Sequence, residues 1–245
     1  MSNIIPKTWH PSWDAFMTED IITELKQINE KIGTDYVPEE KNVLRFLQRD
    51  LTQIKCVWIG QDPYYTMYDT NKYVANGAAF WPNDLHKWTQ PFSQRSLQNI
   101  VRLIYKDYNN ITEYKEIKKF NEIKQEIEIK KFPMLQPQEW FASLEEQGVL
   151  LLNIYLTTNK GKGNCHKKIW EKFSQKLLKY ISTTNAEIHW FLWGSEAQSQ
   201  EMFITKGHTY KSNHPTFCSE KYENDFLKND CFRKTMDIID WRGKC

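Results

Sequence analysis

A parallel α/β sheet covered by helices on both faces is predicted by two observations. Three short apolar runs each end in Gly or Asn, and segments of helical length separate them. Residues 54–59 (IKCVWI) stop at Gly60, 149–152 (VLLL) at Asn153, and 188–193 (IHWFLW) at Gly194. Runs this short, rich in β-branched and aromatic residues and without polar alternation, fit strands buried on both sides. Strands alternating with helices of ten or more residues fit a doubly wound sheet, whose ligands sit beyond the carboxyl ends of the strands.

In chain order, 14–32 places Phe16, Ile21, Ile22, Leu25 and Ile28 at helical spacing, and 41–51 continues with Val43, Leu44, Phe46 and Leu47, so two helices are expected to open the chain. Further helices are expected over 96–105, 137–147, 166–181 and 195–204, with a short extended stretch at 209–211. Residues 113–131 hold six Lys and five Glu, with Ile117, Phe120, Ile123 and Ile127 able to line one face. This reads as a solvated helix or as a charged insertion, spanning about 106–135, in a single domain over 1–245.

Composition narrows the class. Hydrophobic residues make up 40% and charged residues 26%, which excludes collagen-like, low-complexity and wholly disordered chains. With 33 Lys plus Arg against 31 Asp plus Glu, any nucleic-acid footprint has to be a local patch. Ten Trp suit base stacking as well as core filling. The five cysteines, Cys56, Cys165, Cys218, Cys231 and Cys245, are odd in number and include no C-x-x-C pair, which argues against a disulfide framework or a zinc or iron–sulfur site and favours a reducing cytosol. No apolar leader opens the chain and no apolar run reaches membrane-spanning length, so neither export nor a membrane span is expected.

The polar residues just after the strands are the candidates for chemistry. The first loop is Gly60-Gln61-Asp62-Pro63-Tyr64-Tyr65, with a carboxylate at the ligand edge and a proline stiffening it. A lone loop Asp otherwise caps a turn. Asn153 offers a donor and an acceptor in one plane, the complement of a pyrimidine edge, although Asn also closes strands. His214 precedes Pro215, which restricts its backbone; alone it would equally be a surface histidine. Phe80 follows Gly77-Ala78-Ala79 as a stacking platform or a core residue. It is their joint occurrence at strand ends that informs.

Taken together these segments resemble the family 1 uracil-DNA glycosylases. Gly60 to Tyr64 match five of six positions of the family's G-Q-D-P-Y-H motif. Gly77 to Phe80 is similar to its G-x-A-F segment, and GVLLLN followed by Leu156-Thr157 to its G-V-L-L-L-N-x-x-L-T block. Trp193 to Gln198 resembles W-G-x-x-A-Q, and His214-Pro215 begins an H-P-S-P-L-S motif. The matches keep the family order from about Val43 to Trp241. Departures are Tyr65 in place of histidine, a longer connection from Tyr65 to Gly77, a proline-rich loop reduced to Gln90-Pro91-Phe92-Ser93-Gln94-Arg95, and Thr216-Phe217-Cys218-Ser219 in place of the second proline and the wedge leucine.

The resemblance implies a single α/β domain with a central, mostly parallel four-stranded sheet flanked by helices, and hydrolysis of the bond joining uracil to deoxyribose. It implies that Asp62 orients water and stabilises the sugar cation, and that neutral His214 donates to O2 of the base, helped by main-chain donors of the Gln61-Asp62 loop. Asn153 would read N3 and O4, Phe80 would stack, and Tyr64 would exclude a methyl at C5. Ser96, Ser195, Thr216 and Ser219 would hold phosphates, and Phe217 or Cys218 would be the wedge. No metal or cofactor is implied. The implied partners are single- or double-stranded DNA and a proteinaceous glycosylase inhibitor, with the chain a cytoplasmic monomer; Lys-rich, Arg-poor composition suggests an AT-rich bacterial or phage genome. A glycosylase for a modified pyrimidine and a DNA-binding scaffold with little catalysis are the alternatives. A generic hydrolase lacks support, since neither a G-x-S-x-G elbow nor a P-loop is present.

Overall fold

The computed structural model describes residues 3–243, leaving Cys245 outside the described residues. Helix α1 is Glu19–Ile32. Its start follows from Thr18, whose hydroxyl accepts from the Ile21 amide, and from Glu19 and Asp20 in the first turn; Gly33 at φ 67° ends it. Residues 14–18 therefore precede the helix expected over 14–32. Strand β1 is Tyr36–Val37.

The second expected helix, 41–51, does not form. The segment is three 3₁₀ turns, Glu40–Asn42, Arg45–Gln48 and Leu51–Gln53, interrupted by extended Arg49. Tertiary bonds claim the backbone groups that a helix needs. The Leu47 carbonyl accepts from His10 N, the Arg49 carbonyl from the Trp13 indole at 2.8 Å, and Leu51 N donates to Ser12 Oγ. Its apolar residues are nonetheless buried, so the spacing correctly marked a core-facing segment and misjudged the helix type.

Strand β2 (Cys56–Gly60) follows, then a hairpin of β3 (Met67–Asp69) and β4 (Lys72–Tyr73), and then helices α2 (Arg95–Tyr108), α3 (Phe120–Glu128) and α4 (Pro137–Glu146). Strands β5 (Val149–Asn153) and β6 (Thr158–Asn159) precede α5 (Lys167–Thr184); β7 (His189–Trp193), the one-turn α6 (Ser195–Gln198) and β8 (His208–Ser212) complete the set. The helix expected over 195–204 is α6 followed by a separate 3₁₀ turn at Glu201–Phe203.

The central sheet has the order β5-β2-β7-β8 and every pairing is parallel, as the apolar runs required. Alternation along its strands divides the core in two. Trp58, Leu151, Phe191 and Trp193 face α2, α3, α4 and the C-terminal segment, while Val57, Ile59, Leu150, Leu152, Trp190 and Leu192 face α1 and α5. Eight of the ten tryptophans are almost fully buried, so the aromatic content serves the core.

The insertion expected over about 106–135 begins inside α2, and its charged stretch, 113–131, forms a 3₁₀ turn at Tyr114–Glu116 and then α3. Its Ile117, Phe120, Ile123 and Ile127 are buried in the same core as Trp88 and Trp140, and Lys118 and the Tyr105 hydroxyl both bond Glu126. Among the described residues no helix is long and apolar enough to cross a membrane.

Candidate active site

Register brings the site together. Gly60, the last residue of β2, pairs with Asn153, the last of β5, so the loop bearing Asp62 leaves the sheet beside the Asn153 amide. A Cβ on Gly60 would lie 2.4 Å from Asn153 Oδ1 and 2.7 Å from Ala79 Cβ, so only glycine lets the amide sit there. The loop is tied down by Ile154 N to Gly60 O and Tyr155 N to Gln61 O, both 2.9 Å. Asn153 is itself buried.

Phe80 closes another side. It adopts φ 63°, a conformation seldom taken by a residue with a side chain, and its ring meets Trp58 and Trp193 edge-on at 6.2 and 5.7 Å between centroids. Backbone strain of this kind persists where surrounding contacts over-determine it; here Ala79 N is bonded to Leu151 O and the Tyr64 hydroxyl donates to the Phe80 carbonyl at 3.4 Å.

The His214 loop follows β8. Gly194, at φ 89°, lies so close that a Cβ there would stand 2.9 Å from His214 Cβ. Gln198 Nε2 bonds the Ser212 carbonyl at 2.7 Å, and Asn99 of α2, held by Arg102, bonds the Pro215 carbonyl at 2.6 Å. Thr216 N donates to His214 Nδ1 at 3.2 Å. Nδ1 is therefore an acceptor, and the ring's proton is at Nε2, free to donate. Desolvation holds the His214 pKa below the ordinary histidine value, in keeping with a neutral ring.

Asp62 shows the opposite shift. Burial pushes its carboxyl above the ordinary range, the Asn164 N–H at 2.8 Å opposes this, and the charge of Glu196 adds to the rise. Glu196 is held by Lys167 at 2.7 Å and by the Tyr155 hydroxyl at 3.3 Å. Tyr64 is raised by burial, with a hydrogen bond to Ser96 opposing.

These groups line one cavity of about 430 Å³ at the carboxyl edge of the sheet, where a doubly wound fold places its ligand. The structure brings Gln61, Asp62, Tyr64, Phe80, Ser96, Asn153, His214 and Thr216 together on its walls. Ser195 and Phe217 line an adjoining groove with His214. Cys218 and Ser219 line neither. Cys218 packs on the core with its thiol toward the Pro215 carbonyl, its pKa pushed up to about 12 chiefly by burial, and Ser219 N is bonded to Asp225. Phe217 is 69% exposed at the loop tip. Among the described residues no group of three potential ligands is placed to hold a metal.

Sequence reasoning missed Gly163 and Asn164. A Cβ on Gly163 would meet the Tyr65 ring at 2.9 Å and Asp62 Oδ2 at 3.1 Å, and Asn164 N–H is the Asp62 donor. The signal was the glycine-rich stretch Lys160-Gly161-Lys162-Gly163-Asn164, which permits a close approach but does not name its target.

No protein-family model matches the chain. It is 28% identical to a uracil-DNA glycosylase of Deinococcus radiodurans over 98% of this chain and 85% of the relative. It is 32% identical to one of Dictyostelium discoideum, covering 91% of this chain and 58% of that relative. The uracil-DNA glycosylase structure from mimivirus superposes with a TM-score of 0.68 at 21% identity, covering 99% of this chain and 86% of that one, and a variant of the mimivirus protein has been solved in complex with UGI. The fold is that of an α/β protein with a cavity at the carboxyl edge of a parallel sheet. The chain is similar over most of its length to uracil-DNA glycosylases and shares the fold of their solved structures.

Proposed function

We propose that the protein flips uracil out of DNA and hydrolyses its N-glycosidic bond, leaving an abasic site. The observation that carries this reading is a single cavity lined by a carboxylate, a neutral histidine with a free donor, a buried amide and an aromatic ring. Breaking the bond develops positive charge on the sugar and negative charge on the departing base, so the site needs an anion at one end and a donor at the other.

Asp62 orients the water and stabilises the sugar cation, and its hydrogen bond from Asn164 fixes the carboxylate. His214 donates from Nε2 to O2 of the base. Asn153 pairs with N3 and O4, Phe80 stacks, and Tyr64 stands at C5. Ser96 and Thr216, which line the cavity, and Ser195, which lines the adjoining groove, hold the phosphates flanking the flipped nucleotide. Phe217 enters the vacated stack. The partners are DNA and a proteinaceous inhibitor of the kind named with the mimivirus structure. A reducing, cytoplasmic setting fits the four free thiols among the described residues.

Oligonucleotides carrying uracil, thymine, cytosine or a C5-substituted pyrimidine, scored for abasic sites, test the proposal. Release of uracil alone is expected; no release from any of them overturns it. A second reading, excision of a C5-modified pyrimidine, has one observation in its favour. Beyond Tyr64 the cavity wall is polar, with Ser93, Gln94 and Arg95, and Gln94 Oε1 is buried without a partner. Faster release of the C5-substituted base than of uracil would establish it.

A further inference from the structure

Seven large apolar side chains are exposed among the described residues, and three of them fall within four positions, Tyr65, Met67 and Tyr68. They lead directly out of the cavity, whose wall includes Tyr65 and Thr66. Two others, Phe217 and Tyr222, line the adjoining groove, which shares His214 with the cavity. Exposed aromatic rings therefore border both the cavity and the groove beside it.

The 65–73 segment is an ordered element. Met67 pairs with Tyr73 and Asp69 with Lys72, Lys72 bridges Asp69 at 3.0 Å, and Val74 N closes the base onto Thr66 O. The register shifts between Met67 and Asp69, which bulges the strand at Tyr68, and both Met67 and Tyr68 are exposed, so the hairpin carries bare apolar surface. It stands against a basic loop: Gly161 N donates to the Tyr65 carbonyl at 2.9 Å, Gly163 lies under the Tyr65 ring, and Lys160 sits 5.6 Å from the Tyr73 ring. Residues 154–170 contain no Asp or Glu, and Lys162 and Lys168 have no ion pair among the described residues.

We propose that the β3–β4 hairpin is a second DNA-contacting element, on which unpaired bases beside the flipped nucleotide stack on Tyr68, with the backbone held by the Lys160 to Lys168 loop. The occupant is single-stranded DNA, for two reasons given by the structure: the ribbon is continuous with the cavity that takes the base, and exposed rings beside unpaired lysines match the stacked bases and phosphates of a strand. The identity of this occupant rests on the glycosylase reading above.

The test compares excision of uracil from a trinucleotide, too short to reach the hairpin, with excision from a single strand of about fifteen nucleotides. Fluorescence anisotropy measures binding of a strand of the same length that carries an abasic site. Tyr68→Ala is expected to raise KM and Kd for the longer strand by about 5-fold or more, to leave the trinucleotide unchanged, and to be rescued by Tyr68→Phe. Lys162→Ala should flatten the salt dependence of binding to the longer strand. Equal losses on both lengths, or no loss on either, would overturn the proposal. If wild-type protein excises uracil from neither substrate, the glycosylase reading fails, and the anisotropy comparison still decides whether the hairpin holds a strand.

Discussion

At the residue scale the site opposes two shifts. Desolvation raises the Asp62 pKa and lowers that of His214, so both groups are driven toward neutrality, while the proposed chemistry needs an ionised Asp62 beside a neutral His214. The folded state binds the Asp62 proton more tightly than the unfolded chain does. Stability is therefore lost as pH rises from the ordinary carboxylate range through the raised value, and at neutral pH Asp62 is a cost to the fold. Asp62→Asn should cut uracil release at least about 100-fold, leave DNA binding largely intact, and raise the melting temperature at pH 7, with the gain vanishing below the ordinary carboxylate range. An unchanged turnover would remove Asp62 from the mechanism. Glu196 adds to the Asp62 rise, so Glu196→Gln should move the acid limb of the kcat/KM profile to lower pH; an unmoved limb or a shift upward would mean that the Glu196 charge does not raise the Asp62 pKa.

At the element scale, legibility followed burial on both faces. The central strands were readable because parallel strands between two helix layers are continuous apolar runs, and Gly60, Asn153 and Gly194 marked their ends. The 41–51 segment was misread because helical spacing shows which residues face a core, while the interruption at Arg49 comes from partners tens of positions away, Trp13 and Ser12. In the same way Asp62, Asn153 and His214 were visible as polar residues after strands, whereas Asn164 acts through a backbone N–H that any residue carries. Helix α3 offers a check on how far the charged stretch belongs to the core. Ile123 is fully buried there, so Ile123→Ala should cost about 2–5 kcal/mol in urea unfolding. A loss below roughly 0.5 kcal/mol, the size of an ordinary surface substitution, would make α3 a detachable insertion. Gly60→Ala should instead act on the site, displacing the Asn153 amide and weakening discrimination of uracil from cytosine more than it lowers stability.

At the scale of the whole molecule, the segments that line the cavity resemble the uracil-DNA glycosylase motifs more closely than the loop after His214 does, and that loop is where the difference concentrates. Thr216 N caps the His214 ring, Asn99 anchors Pro215, Phe217 N donates to the His214 carbonyl at 3.3 Å, Cys218 faces inward and Asp225 holds Ser219, so the loop backbone is fixed while the Phe217 side chain stands bare. A ring 69% exposed on a fixed loop loses hydration-unfavourable surface by inserting between bases, and it offsets the roughly few kcal/mol spent in unstacking a flipped nucleotide. That cost arises in a duplex and largely disappears in a single strand. Phe217→Ala should therefore lower kcat/KM on duplex substrate far more than on single-stranded substrate, with little change in melting temperature because the side chain packs on little. Cys218→Ala, on the inward side, should do the reverse, lowering stability while keeping the ratio of duplex to single-strand activity. Equal losses on both substrates for Phe217→Ala would discard it as the wedge. A selective duplex loss would show that an aromatic tip takes the place of the leucine wedge.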